Sequence, residues 1–153
     1  MIVKSIVWQD EQATQTFAKV LAALPDATNA FIALSGDLGA GKTTFARYLL
    51  EALGVQGRIK SPSYAVVETY DLAERAMTIW HFDFYRFNDP DEWEEAGFRD
   101  VFASPGLKLV EWPDKAGPHL PQADLLITIE AADANARRVT LSALTDTGAR
   151  LLP

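Results

Sequence analysis

The sequence predicts an α/β fold built around a mixed β-sheet. The nearly all-apolar run at residues 30–34 is typical of a strand buried on both faces of a sheet that helices cover. A glycine-rich segment and a helical pattern follow this run directly. Two further pairs of short strands are predicted, and one of them is joined by a tight polar turn, which indicates a hairpin.

In the first half of the chain, each predicted helix has a residue suited to cap it. Residues 2–8 alternate as a strand does. Asp10 is a suitable N-cap for a helix over residues 11–24. The inward side of this helix is predicted to carry Phe17, Val20, Leu21 and Leu24. Apolar residues at helical spacing predict a second helix over residues 43–53, with Gly54 where a C-terminal cap belongs.

The second half of the chain is predicted to be rich in strands. Strands are predicted over residues 65–70, 77–85, 107–110, 125–129 and 139–144. The first two of these are joined by a polar turn at residues 73–75. The acidic segment 89–95 begins with Asp-Pro and is followed by Gly97, which predicts a surface helix. Residues 113–121 are predicted to be an irregular loop.

Length and composition indicate one folded domain over residues 1–153. A chain of 153 residues can bury one hydrophobic core but is short for two domains. Cysteine is absent, which excludes disulfides and thiolate metal sites and is compatible with a reducing compartment. Neither a signal peptide nor a membrane-spanning run is recognisable. We therefore expect a cytoplasmic protein with no membrane association.

The charge balance argues against direct binding of nucleic acid. The chain has 21 acidic residues against 14 basic ones and a net charge of −7. Proteins that hold RNA or DNA through its phosphates normally present a basic face. We expect no DNA partner, and if RNA is involved, another subunit must do most of the holding.

Residues 36–43 read G-D-L-G-A-G-K-T and match the phosphate-loop pattern G-x-x-x-x-G-K-[ST] at every position. Glycines let backbone N–H groups turn inward and form an anion nest ahead of a helix. In this pattern Lys42 reaches the β- and γ-phosphates and Thr43 offers its hydroxyl to Mg²⁺. Thr44 is interpreted as an ordinary first-turn helix residue that adjoins the site. The candidate nucleotide contacts of this segment are Asp37, Gly39, Ala40, Gly41, Lys42, Thr43 and Thr44.

Two carboxylates compete for the second metal position that a phosphate loop requires. Strand alternation places His81, Asp83 and Tyr85 on one face of residues 77–85, and an acid in so apolar a strand needs a partner. Glu111 follows the apolar run 107–110, at the strand end where ligands of open α/β sheets gather. His81 is interpreted as a packed or hydrogen-bonding core histidine. Two histidines and no cysteine give almost no support for a zinc site.

Four segments together resemble the TsaE (YjeE) family of bacterial ATPases of tRNA threonylcarbamoyladenosine synthesis. They are the loop at 36–43, Ser-Pro-Ser-Tyr at 61–64, His-Phe-Asp-Phe-Tyr-Arg at 81–86, and Val-Glu-Trp-Pro at 110–113. The resemblance spans nearly the whole chain. It implies a P-loop NTPase-like three-layer sandwich with a mixed central β-sheet.

The resemblance also implies roles for individual residues. Glu111 would join Thr43 on Mg²⁺, Asp83 would be an essential active-site acid beside Lys42, and Trp112 would lie near the nucleotide. Residues 61–64 resemble a switch-like loop near the γ-phosphate, in which Ser63 replaces the family's usual threonine. That loop consists of Ser61, Pro62, Ser63 and Tyr64. By the same analogy the further candidate nucleotide contacts are Arg137, Asp10, Glu11 and Thr14.

The activity implied by the resemblance is hydrolysis of ATP to ADP with Mg²⁺. Lys42 and the loop N–H groups would stabilise the charge that develops on the γ-phosphate, and Asp83 would orient the attacking water. The sequence places no arginine as an obvious finger, so slow turnover is expected until a partner completes the site. In the family the partners are TsaD and TsaB, and tRNA is reached indirectly through that complex.

Two other functions share the phosphate loop. A small-molecule phosphotransferase would need an acceptor pocket and a mobile lid with clustered arginines, whereas Arg58, Arg75, Arg86 and Arg99 are scattered. A non-hydrolysing nucleotide switch would bind ATP and a partner without turnover.

Overall fold

The computed structural model describes residues 1–59, 62 and 64–153. The strands are β1 (Ile2–Trp8), β2 (Phe31–Ser35), β3 (Val67–Leu72), β4 (Met77–Asp83), β5 (Leu107–Glu111), β6 (Leu125–Ala131) and β7 (Arg137–Ala143). The α-helices are α1 (Glu11–Ala22), α2 (Lys42–Leu53), α3 (Asp91–Glu95), α4 (Arg99–Ala103) and α5 (Asp146–Arg150). Short 3₁₀ helices occupy Pro25–Asn29, Ala73–Arg75 and Pro113–His119.

The strands form one mixed sheet in the order β1-β7-β6-β2-β5-β4-β3. Strands β6, β2, β5 and β4 run parallel to their neighbours in the centre. Antiparallel pairs extend this centre on both sides, through β7 and β1 at one edge and β3 at the other. The predicted α/β class with a mixed sheet is therefore confirmed.

Two apolar clusters cover the two faces of the sheet and give the fold its three predicted layers. On one face, α1 and α2 bury Leu21, Phe45 and Leu49 against β2, β5, β6 and β7. On the other face, Phe102 of α4 packs against Phe82 of β4, and Trp93 of α3 packs against Phe102, in a largely aromatic cluster. Full burial of a large apolar side chain contributes roughly 2 kcal/mol, so both helix layers are firmly attached.

The register of the parallel strands brings the predicted site residues together. Glu111 at the end of β5 lies opposite Asp83 at the end of β4 and opposite Leu34 near the end of β2. The glycine-rich loop leaves the same edge of the sheet, since it follows β2 and precedes α2. The carboxyl ends of β2, β5 and β4 therefore lie at the same edge of the sheet as the loop.

The first helix differs from its prediction at its C-terminal end. Helix α1 ends at Ala22 instead of residue 24, and Pro25–Asn29 continues as a 3₁₀ helix. Its buried side chains are Thr14, Ala18, Leu21 and Ala22. Val20 was predicted to point inward but is 52% exposed, because 100° of rotation per residue carries it away from the stripe through Ala18 and Leu21.

Other boundaries shifted for local reasons. Strand β3 begins at Val67 because Val66 has a left-handed φ of 70°. Strand β4 ends at Asp83 instead of residue 85, since the Asp83 carboxylate accepts the Tyr85 N–H and starts a turn. The predicted loop at 113–121 contains a 3₁₀ helix, and α4 and α5 were not predicted. Within the described residues no helix is long and apolar enough to cross a membrane.

Candidate functional site

The segment between β2 and α2 curves tightly at its glycines. Gly36, Gly39 and Gly41 have φ values of 146°, 78° and 114°, which glycine adopts more readily than other residues. At Gly36 a Cβ atom would lie only 2.3 Å from the Ile129 carbonyl oxygen on β6. Helix α2 begins at Lys42 directly after the curve, so the first N–H groups of a twelve-residue helix are directed toward the loop.

Lys42 places a cation inside this curve. Its side chain is only 5% exposed, and its Nζ donates to the carbonyl oxygens of Gly36 and Asp37, the latter at 2.9 Å. The ammonium also lies 4.3 Å from the ring centroid of Trp112. Burial lowers the pKa of Lys42, while the nearby carboxylates of Glu111, Asp83 and Asp37 act in the opposite direction. A further anion beside Lys42 would likewise favour its charged form.

Glu111 connects the loop to the neighbouring strand. Its Oε1 accepts the Thr43 hydroxyl at 2.9 Å, and its Oε2 lies 2.7 Å from His81 Nε2 on β4. Glu111 and His81 are each 2% exposed. The hydrogen-bonding core position predicted for His81 agrees with this contact, and its partner is the Glu111 side chain.

Asp83 lies beside Glu111 at the adjacent strand end. It is 6% exposed, and its Oδ1 accepts the backbone N–H of Tyr85 at 2.9 Å. The sequence left Asp83 and Glu111 as competing candidates, but the structure brings both to one place. A hydroxyl and two carboxylates form a set of hard oxygen donors, which suits Mg²⁺. Thr43 and Glu111, joined by a hydrogen bond, therefore fit a magnesium site beside the loop, and Asp83 lies next to it on the adjacent strand.

A cleft of about 370 Å³ opens over these groups and falls within the size range of small-molecule sites. Its lining includes Lys42, Thr43, Asp83, Glu111 and Trp112. Trp112 has a left-handed φ of 57°, and its ring packs 5.0 Å from that of Tyr85. Cations, carboxylates and an aromatic wall thus surround one cavity.

A second cleft, of about 290 Å³, adjoins the first along the start of α2. Gly41, Thr44 and Arg137 line both clefts. Arg137 donates from Nε to the Ala40 carbonyl oxygen at 2.8 Å, so β7 is connected to the loop. The remaining lining residues of the second cleft are Trp8, Glu11, Thr14 and Asn135.

Three candidate contacts line neither of these clefts: Asp10, Asp37 and Ala40. Asp37 and Ala40 belong to the loop itself and line a separate cavity between the loop and β6, whereas Asp10 lies at the start of α1. Its carboxylate accepts the Ala13 N–H at 2.8 Å and caps α1, which is its predicted structural role. The capping geometry directs Asp10 along α1, while Glu11 and Thr14 line the second cleft.

Sequence reasoning missed Arg86 as a site residue. Arg86 lines the larger cleft, and its guanidinium lies 4.2 Å from the ring centroid of Tyr64. It forms no ion pair with any described residue. The sequence feature that could have indicated this role is its position three residues after Asp83, as the last residue of the segment 81–86 that resembles the family.

Only part of the predicted switch-like loop can be placed. Ser61 and Ser63 lie outside the described residues. Pro62 is buried, and its carbonyl oxygen accepts the Val66 N–H at 2.6 Å. Tyr64 is 84% exposed, and its ring lies beneath the guanidinium of Arg86, which lines the larger cleft.

Comparisons with known proteins agree on one family. The sequence profile described as "Threonylcarbamoyl adenosine biosynthesis protein TsaE" matches residues 8–139. A Haemophilus influenzae protein described as tRNA threonylcarbamoyladenosine biosynthesis protein TsaE is 43% identical over 136 residues, which cover 89% of this chain and 84% of that protein. A Bacillus subtilis protein with the same description is 34% identical over 143 residues, covering 92% and 87%.

A solved structure is similar over almost the full length. The crystal structure of YdiB from Bacillus subtilis superimposes with a TM-score of 0.79 at 30% sequence identity, and the match covers 99% of this chain and 93% of that one. The similarity extends across the loop, β4 and β5, which carry the clustered side chains.

Proposed function

Since the chain belongs to the TsaE family of threonylcarbamoyl adenosine biosynthesis proteins, we propose that it is an ATPase subunit that supports tRNA N6-threonylcarbamoyladenosine modification. It binds ATP, hydrolyses it with Mg²⁺ to ADP and phosphate, and works in the cytoplasm. The family's role in threonylcarbamoyladenosine biosynthesis is the premise, and the nucleotide chemistry is the proposal.

One observation carries the proposal. The buried Lys42 ammonium lies within a curve of backbone that leads into a helix, and the adjacent Thr43 hydroxyl bonds to the Glu111 carboxylate at 2.9 Å. A helix N-terminus with an ammonium group favours phosphate. A neighbouring hydroxyl–carboxylate pair favours a hard divalent cation. A magnesium-bound triphosphate presents both chemistries at once.

Different side chains of the site would bind the phosphates, hold Mg²⁺ and orient the attacking water. Loop N–H groups and Lys42 would hold the β- and γ-phosphates and stabilise the charge that develops as the bond to the γ-phosphorus breaks. Thr43 and Glu111 would hold Mg²⁺, which when bound offsets the negative charge shared between the phosphates. Asp83, one strand from Glu111, would orient the attacking water. Trp112 would cover the ammonium and limit access of bulk water.

The second cleft is the proposed place for the rest of the nucleotide. It shares Gly41, Thr44 and Arg137 with the phosphate-side cleft, so a ligand seated on the loop can extend directly into it. Trp8 offers an apolar surface there, and Glu11 and Thr14 offer polar atoms. These groups suit a base and a ribose.

Homologues of TsaD and TsaB are the proposed partners, and tRNA is reached through them. The net charge of −7 favours docking on protein over direct contact with RNA phosphates. The partner complex would transfer the threonylcarbamoyl group, while ATP hydrolysis on this chain would allow the complex to turn over repeatedly.

Reconstitution with TsaD, TsaB and a tRNA substrate tests the proposal. We expect many modified tRNA molecules per complex with the wild type and no more than about one with Lys42→Ala, because the phosphate cation is lost. Lys19→Ala, which changes an exposed lysine on α1, is the matched control and should behave as the wild type. Repeated turnover without this chain, or with Lys42→Ala, would contradict the proposal.

The same reactions separate the two rival functions. Hydrolysis releases inorganic phosphate and ADP in equal amounts. A phosphotransferase would produce ADP with a deficit of inorganic phosphate, and a non-hydrolysing switch would produce no ADP in a single-turnover experiment with the partners present.

A further inference from the structure

The two oxygens of the Glu111 carboxylate have different partners. Oε1 accepts the hydroxyl of Thr43 at 2.9 Å, while Oε2 lies 2.7 Å from Nε2 of His81. Both Glu111 and His81 are 2% exposed, so water competes little for either contact. The carboxylate plane is therefore fixed by one group from α2 and one from β4.

We propose that His81 is a positioning residue that holds Glu111 with a single oxygen directed at the Thr43 side of the cleft. This inference rests on the proposed function, because it assigns Glu111 to Mg²⁺. Magnesium requires near-ideal octahedral geometry, so a carboxylate free to rotate between orientations would hold it less well. Groups that orient a metal ligand commonly change metal affinity 10- to 100-fold when they are removed.

The hydrogen-bonding pattern of the imidazole supports a holding role. His81 Nδ1 is buried and has no hydrogen-bond partner among the described residues. In the neutral ring, a proton on Nδ1 would leave a buried donor unsatisfied and would set the Nε2 lone pair against carboxylate lone pairs. The proton therefore belongs on Nε2, and His81 acts toward Glu111 as a hydrogen-bond donor.

Strand geometry explains why this pair can form. His81 and Asp83 are two residues apart on β4, so their side chains leave the same face. Glu111 is opposite Asp83, and Leu109 is opposite His81. Glu111 is thus the diagonal neighbour of His81, within the distance that long side chains span across a strand pair. One face of β4 therefore supplies the Asp83 carboxylate and also the His81 donor, which fixes the Glu111 carboxylate on β5.

Magnesium titrations of three variants test the inference. His81→Gln keeps a terminal N–H donor at a similar reach, His81→Asn keeps an amide too short to reach Glu111, and His81→Leu removes the donor. Calorimetry would measure ADP binding as Mg²⁺ is varied. We expect the half-saturating Mg²⁺ concentration to rise about tenfold with Leu and Asn and to stay near the wild-type value with Gln.

Two controls keep the outcomes distinct. Nucleotide binding in EDTA should be equal in all four proteins, because His81 acts only through Glu111. Equal Mg²⁺ dependence in the wild type and the Leu and Asn variants would overturn the positioning role, as would an equal loss with Gln. If the wild type itself shows no Mg²⁺-dependent nucleotide binding, the proposed function fails, which is a different result from failure of the positioning role.

Discussion

Asp83 lies directly opposite Glu111 at the ends of two neighbouring parallel strands. Both carboxylates are buried, at 6% and 2% exposure, and both act on the Lys42 ammonium. Like charges so placed disfavour each other unless cations lie nearby. The register of β4 and β5 therefore creates a position that attracts cations, and a metal–nucleotide complex would supply them together with the phosphates that Lys42 and the loop favour.

Asp83→Asn is expected to separate nucleotide binding from hydrolysis. The amide oxygen of asparagine can still accept the Tyr85 N–H, so the turn after β4 is preserved. The ability to take up a proton from water is lost, and hydrolysis in the presence of partner proteins should fall roughly 100-fold. Phosphate release measures this effect, and calorimetry with ADP should give unchanged affinity. A variant that hydrolyses ATP at the wild-type rate would remove Asp83 from the reaction.

Gly36→Ala is expected to damage the loop more than Gly39→Ala, the matched control. Both positions have positive φ, for which alanine costs about 1 kcal/mol. At Gly36 the new methyl group would also meet the Ile129 carbonyl oxygen at 2.3 Å, whereas nothing lies within 4 Å at Gly39. The clash adds about 1–3 kcal/mol. The free energy of unfolding measured in urea should be highest for the wild type, lower for Gly39→Ala and lowest for Gly36→Ala. Equal decreases in the two variants would contradict the close approach of Gly36 to Ile129.

The sequence was sufficient for the elements that carry strong periodicity or a specific motif. Helix α2 was predicted to within one residue because apolar side chains recur at helical spacing and Gly54 ends it with a left-handed φ of 112°. The loop and the two acids were also found in the sequence: Glu111 because it follows a short apolar strand, and Asp83 because it is an acid within an apolar strand, although that strand was predicted to run to residue 85 and β4 ends at Asp83. Strand order and register then followed from tertiary pairing, which one sequence does not encode locally.

What the sequence missed depends on contacts between distant segments. Helix α4 has no fully buried residue, so its pattern carried little signal. The bond from His81 to Glu111 joins residues 30 positions apart, and periodicity could place His81 on a face but could not name its partner. Arg86 was missed because its role depends on where β4 ends, one turn before it.

Stability near the opposite end of β5 is expected to depend on pH through Lys108. This side chain is 5% exposed, donates to the carbonyl oxygens of Ser104 and Gly106, and lies 5.4 Å from the Trp80 ring centroid. Burial lowers its pKa below the ordinary value of 10.5, although the charge of Asp124 acts the other way. Folding therefore penalises the charged form.

The sign of the pH effect follows from proton binding. Between the folded pKa and 10.5 the unfolded chain holds more protons at Lys108, so the free energy of unfolding rises with pH. The penalty is fully present below the folded pKa and is relieved as pH increases. Urea denaturation at several pH values above 7 would measure the free energy of unfolding of the wild type and of Lys108→Met. As pH rises, the free energy of unfolding of the wild type should increase relative to that of the variant. A constant difference would contradict the lowered pKa.

Arg86 is expected to act on the γ-phosphate side of the cleft. Its guanidinium is exposed, lies over Tyr64 at 4.2 Å from the ring centroid, and has no carboxylate partner among the described residues. A cation–π contact at an exposed site is worth about 0.5–1 kcal/mol. A phosphate group therefore competes easily with Tyr64 for the guanidinium.

Arg86→Ala should slow ATP hydrolysis and leave ADP affinity nearly unchanged, because ADP lacks the γ-phosphate. Dedicated arginine fingers are worth roughly 1000-fold or more. A flexible exposed arginine should give a smaller effect, on the order of tenfold. Arg47→Ala is the matched control, because Arg47 is an exposed arginine on α2 that also lies over a tyrosine ring but lines neither cleft, and this variant should retain the wild-type activity. Single-turnover rates with TsaD and TsaB would measure both variants, and an Arg86→Ala rate equal to that of the wild type would show that the guanidinium takes no part in the reaction.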